Sequence, residues 1–117
     1  MTKTVSDLST AVLRHLRVAD AVDDADSADI TLVQDAYQSL WEELSAHGHE
    51  LTYWHYEAIP LPVFLILRDL VSLEVQDSFG KVISPAERYQ QREILLRRLR
   101  RHVHTASSGL QTKANYF

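Results

Sequence analysis

Apolar positions return with helical spacing in four stretches of this chain. Leu8, Val12, Leu13 and Leu16 repeat at three- and four-residue intervals. They predict a first helix from about Val5 to Val18. Thr4 or Ser6 can cap it, with Asp7 in the first turn and Arg14, His15 and Arg17 in the last. Ile30, Val33, Tyr37, Leu40, Trp41 and Leu44 predict a second helix, from Ser27 or Ala28 to Ala46, stopped by Gly48. Val63, Phe64, Ile66, Leu67, Leu70, Val71, Leu73 and Val75 predict a third, from Leu61 or Pro62 to Phe79. It is apolar nearly all round, which marks the central helix of a fold. Tyr89, Leu96, Leu99 and Val103, widened by Ile94 and Leu95, predict a fourth, from Pro85 to about His102.

The joins carry their own signals. Gly80 can close a helix in the left-handed conformation. Ser84 can cap the next one, Pro85 suits its first position, and Glu87 completes a capping box. Asp20 to Asp26 reads as a solvated acidic connection. Residues 49–58 are rich in aromatic and β-compatible side chains and lack a helical stripe. They predict an extended loop or short β-arm. Its aromatics, Tyr53, Trp54 and Tyr56, must fold over the bundle or dock on a neighbour. From His104 to Phe117 the stripe is lost, which predicts a flexible, extended tail with Tyr116 and Phe117 as a terminal aromatic anchor. The expected fold class is all-α: a small bundle of about four helices over residues 1–103, with a tail at 104–117.

Composition narrows the class. A chain of 117 residues fits one domain. The absence of cysteine excludes a disulfide framework and a thiolate zinc site. The longest apolar run, Ile59 to Leu67, holds two prolines and is too short for a bilayer, which takes roughly 20 residues. The polar N-terminus lacks a signal-peptide core, so the expectation is a soluble product made in the cytoplasm, without membrane contact.

The net charge of −4 hides an asymmetry. Residues 1–60 carry three basic and eleven acidic side chains, a net of −8; residues 61–117 carry nine basic and five acidic, a net of +4. A nucleic-acid binder is more often basic throughout. Opposite halves suit pairing between copies.

Catalytic motifs are missing. There is no glycine-rich phosphate loop, Gly-x-Ser-x-Gly elbow or His-Glu-x-x-His pair. No enzyme activity, metal or cofactor is expected. His47, His49 and His55 read as loop histidines, without carboxylate or cysteine spacing to support a metal. His102 and His104 complement a helix dipole. Asp23, Asp24 and Asp26 lack the glycine and closing glutamate of a calcium loop.

The basic run says more. Arg97, Arg98, Arg100 and Arg101, with Arg92 a turn earlier, occupy most of the surface of the fourth helix left by Leu96, Leu99 and Val103. Such a row is a solvated face, a phosphate-contacting face along DNA, or a docking face for carboxylates. The charge asymmetry favours the last, with Asp29, Asp35, Glu42 and Glu43 of a neighbouring copy's second helix as receptors. Arginine suits such contacts because its fork binds a carboxylate at two points.

Taken in order, these features resemble a known family. A helix ending in Trp41-Glu42-Glu43-Leu44 and a glycine turn is followed by an aromatic loop. Ile59-Pro60 opens an apolar helix, and Phe79-Gly80-Lys81-Val82-Ile83-Ser84-Pro85-Ala86-Glu87 leads into an arginine-rich one. This resembles the head–tail adaptor (connector, or head completion) proteins of tailed bacteriophages. Their last two main helices are joined by an aromatic-Gly-Lys-x-x-Ser-Pro-Glu stretch; here Ala86 stands before the acid. The resemblance spans about residues 5–103.

The resemblance implies a virion protein of the head–tail neck. It implies a ring under the portal, usually twelvefold, that extends the DNA channel and docks a stopper or tail-completion protein. DNA would pass through without specific binding. The tail at 104–117, with Tyr116 and Phe117, would reach along the portal. A ring of this kind needs two different complementary faces on each subunit, and the acidic half and the arginine helix are suited to supply them. A small helical DNA-binding or regulatory protein using the same arginines is the alternative.

Overall fold

The chain enters its first helix through a capping box. In the computed structural model, which describes residues 2–16, 27–46 and 51–115, the Asp7 amide donates to Thr4 Oγ1 at 3.1 Å. The Thr4 amide donates back to Asp7 Oδ2 at 3.0 Å. Helix α1 then spans Val5–His15 and is capped at Leu16, short of the Val18 end expected. Leu8, Val12, Leu13 and Leu16 are buried, as their spacing predicts. Helix α2 spans Ser27–Ala46 and buries Val33, Tyr37, Leu40 and Leu44.

Helix α3, Leu61–Val75, is the central element and packs against α1, α2 and a fourth helix, α4, at Pro85–Asn115. Val63, Leu67, Leu70 and Val71 are all but sealed from solvent. A 3₁₀ turn, Gln76–Phe79, carries α3 into Gly80, which takes φ 80°. The Lys81 amide bonds the Gln76 carbonyl at 3.0 Å and the Gly80 amide bonds Asp77 at 3.1 Å, closing the helix as a left-handed cap does. The Glu87 amide then donates to Ser84 Oγ at 3.2 Å, which opens α4.

Two features went beyond the helical pattern. Strand β1, Thr2–Lys3, pairs antiparallel with β2, Ile59–Pro60, in the register Thr2 with Pro60 and Lys3 with Ile59. The β-arm expected over residues 49–58 is absent from the described residues 51–58; the strand lies just beyond them, at Ile59–Pro60, where the third helix was expected to open, and it pairs with Thr2–Lys3. Helix α4 also outruns its stripe. It was expected to end near His102 and give way to an extended tail, but the backbone stays helical through Asn115. Backbone hydrogen bonding needs no apolar stripe, and Ala106, Leu110, Gln111, Lys113 and Ala114 are good helix formers.

Within α4 the buried positions are Leu95, Leu96, Leu99 and Val103. Tyr89 and Ile94, assigned to the buried stripe, are 68% and 51% exposed. Tyr89 sits off the arc that faces α3, and Ile94 sits at its margin, bordering a cleft with Ser72 and Leu73; the 3.6-residue period leaves such a rotation open when a stripe is short. No helix of the described residues is long and apolar enough to cross a membrane. The acidic connection at Asp20 to Asp26, His47, Gly48, His49, Tyr116 and Phe117 lie outside the described residues.

Candidate functional site

The aromatic loop resolves first. Trp54 is buried, and its indole N–H donates to the Tyr37 hydroxyl at 3.2 Å. Tyr56 stacks on Tyr37 at 5.1 Å and meets Trp41 edge-on at 5.6 Å. The loop therefore folds over the bundle. Trp54, expected at an interface, is a core residue instead, and Tyr56 is half-buried. A large ring left in water would cost more than the loop ordering that buries it. Tyr53 alone stays open, 48% exposed, and its hydroxyl lies 3.0 Å from His102 Nε2 on α4. His55, the one described member of the loop histidines, accepts at Nδ1 from the Glu57 amide. Among the described residues no three His, Asp or Glu side chains gather as metal ligands.

The charged candidates divide in two. Arg92 belongs to an internal cluster: its Nη2 bonds Glu43 Oε2 at 2.5 Å and its Nε lies 3.5 Å from Glu74 Oε1. Arg88 pairs in the same way with Asp77 across the turn. These contacts clip α4 to α3 and α2. Arg92 and Glu43, expected to meet neighbouring copies, thus meet each other within one chain. Surface pairs of this kind contribute about 0–1 kcal/mol each, so they set register more than stability.

The remaining arginines are different. Arg97, Arg98, Arg100 and Arg101 are exposed, and none forms an ion pair with a described residue. Arg100 borders a hollow beside Arg92, Glu43 and Glu93. Arg97 and Arg101, four residues apart, line the side of α4 opposite its buried face, and the half-exposed Ile94 beside them borders a cleft shared with Leu73 and Gln76. On α2, Asp35 and Glu42 are exposed and Asp29 is half-buried, again without ion pairs among the described residues.

Sequence reasoning missed Glu74. It joins Asp35, Ser39, Glu43, Ser78 and Leu32 around a groove of about 290 Å³ between α2 and α3. A signal for it existed. Glu74 and Arg92 are placed almost symmetrically about the Gly80–Ser84 turn, as are Asp77 and Arg88, so an antiparallel hairpin brings each pair together.

A further cleft of about 310 Å³ holds His15 beside Asp69 at 3.7 Å, with Ser72 on its wall. The Ser72 hydroxyl donates to the Arg68 carbonyl at 2.7 Å. It is therefore not aligned on His15 as a nucleophile would be.

No protein-family model, curated protein or solved structure matches this chain.

Proposed function

We propose that this protein is a non-catalytic structural part of a tailed-phage virion: a head–tail adaptor that forms a ring under the portal. The observation that carries the reading is the row of four exposed arginines on a helix whose other face is locked in the core. A rigid helix with unpaired charge is built to meet a charged surface. The order of elements and the Phe79–Glu87 turn resemble the adaptor family, and the opposite charges of α2 and α4 suit a heterologous ring.

In this reading the ring extends the DNA channel at the neck and offers its far side to a stopper or tail-completion protein. The net charge of −4 keeps the channel from holding the genome as it leaves. The segment 104–117, with Tyr116 and Phe117, reaches along the portal.

Mass measurement of the chain mixed with the portal ring of the same genome tests this. A complex with many copies per portal is expected, and deletion of residues 105–117 should weaken it while leaving the fold intact. The alternative reading, a DNA-binding protein, is favoured by the same exposed arginines. Tight duplex binding that falls steeply with salt, without portal binding, would replace the adaptor reading with that one.

A further inference from the structure

We propose that the outward face of α4, formed by Ile94, Arg97, Arg98 and Arg101, docks into the groove between α2 and α3 of a second copy of this chain. The proposal rests on the adaptor reading for its ring geometry and names the surface that receives the arginines.

Among the described residues the donor face is unpartnered. Its three arginines are exposed without ion pairs, and Ile94 adds an apolar side chain that is 51% exposed. Leu96, Leu99 and Val103 hold the other side of the helix in the core, so the face cannot turn inward toward the carboxylates of the described residues.

The receiving groove has the opposite character. Asp35, Glu43 and Glu74 line it, with the hydroxyls of Ser39 and Ser78 and the partly exposed Leu32. Arg92 compensates Glu43 and Glu74 from one side. A single guanidinium leaves three carboxylates under-neutralised, and Asp35 forms no ion pair among the described residues. Arg92 also demonstrates the fit: an arginine from α4 already reaches the rim of this groove with good geometry. Arginines one to two turns further along a neighbour's α4 would repeat that contact from outside, with Ile94 beside Leu32.

Charge selects the partner. The whole chain carries −4, which repels a second copy weakly and a densely charged polyanion such as duplex DNA more strongly at long range; the selection is made at contact, by local complementarity. A second copy brings a negative groove to a positive helix. Because helix and groove are different surfaces, the contact is head-to-tail and leaves a free helix and a free groove at its ends.

The chain has no cysteine, so Ser39→Cys, exposed in the groove, takes a single nitroxide. Spin-labelled copies are mixed at millimolar concentration and low salt with unlabelled-site, nitrogen-15 copies. Amides of Ile94 to Arg101 should broaden. Broadening should vanish when the nitrogen-15 copy carries Arg97→Glu, Arg98→Glu and Arg101→Glu, with helicity unchanged by circular dichroism. It should return when the spin-labelled copy also carries Asp35→Lys and Ser78→Lys, which turn the groove basic.

Absence of broadening in the unmodified pair, or broadening indifferent to charge reversal, overturns the contact; portal binding then still keeps the adaptor reading. Broadening that follows the charges in a protein that ignores portals keeps the contact and removes the adaptor reading. Duplex DNA that abolishes the broadening and shifts the same amides overturns the choice of a second copy as partner.

Discussion

Tyr37 donates its phenol to the backbone carbonyl of Tyr56 at 3.0 Å, and the two rings stack 5.1 Å apart. The same hydroxyl accepts from Trp54 at 3.2 Å, so one buried oxygen ties α2 to two points of the aromatic loop. Burial pushes the Tyr37 phenol from its usual 10 to about 12. Between those values the unfolded chain has released a proton that the folded chain retains. The associated stability is complete below about pH 10 and is lost as pH rises toward 12. Denaturant midpoints should fall through that window and fall less in Tyr37→Phe. Burial shifts Tyr53 and Tyr56 upward too, so the fall is reduced rather than abolished. At neutral pH the substitution strands the Trp54 N–H and should cost about 1–3 kcal/mol.

Gly80 separates conformation from packing. Its φ is 80°, yet a side-chain carbon placed there would meet no atom within 4 Å. Gly80→Ala should therefore cost about 1–2 kcal/mol from backbone strain alone. Gly80→Asn should cost less, because asparagine tolerates the left-handed region. Equal losses in the two variants, measured by chemical denaturation, would contradict this assignment.

Thr4 holds Asp7 in its ionised form. The Thr4 amide, then its hydroxyl, lowers the carboxyl below the usual 3.8. The contribution to stability is present above that value and fades as pH falls through the lowered folded pKa. In Thr4→Ala the hydroxyl is lost and the amide kept. The Asp7 pKa should move part of the way back toward 3.8, as read by an NMR titration of its side-chain carbon.

Leu70 and Ile94 offer a paired test of the packing. Leu70 is 1% exposed on the helix that touches every other one in the bundle. Leu70→Ala should cost about 2–5 kcal/mol. Ile94→Ala, on the open side of α4, should cost under about 0.5 kcal/mol. Comparable losses would place Ile94 in the core and remove it from the proposed docking face.

The legible parts of this fold were those governed by neighbours in sequence. Thr4 with Asp7, Gly80, and the Ser84 cap are local hydrogen-bonding and dihedral requirements that the structure realises, although at Ser84 and Glu87 only the Glu87 amide-to-hydroxyl half of the expected capping box forms. The stripe of α2 and most apolar positions of α3 likewise translated into burial, while Leu61 and Leu65 of α3 stay exposed. What escaped depends on distant partners. Nothing near Thr2 reveals that Ile59 will pair with its neighbour. Nothing near Trp54 says that Tyr37 will receive it, so a core residue looked like an exposed anchor. Composition treats Arg92 like the other arginines; only the hairpin places it against Glu43 and Glu74. The charged faces were visible as a charge asymmetry, while the groove between them needed two helices side by side.

The short ladder from Lys3 to Ile59 has a kinetic consequence. Residues so far apart in sequence meet only after the intervening helices have assembled, because closing a long loop carries an entropic barrier. The strip should therefore zip shut late in refolding and open early in unfolding. Its amide protons should then serve as a clock for the completed native state, exchanging before those buried within α3.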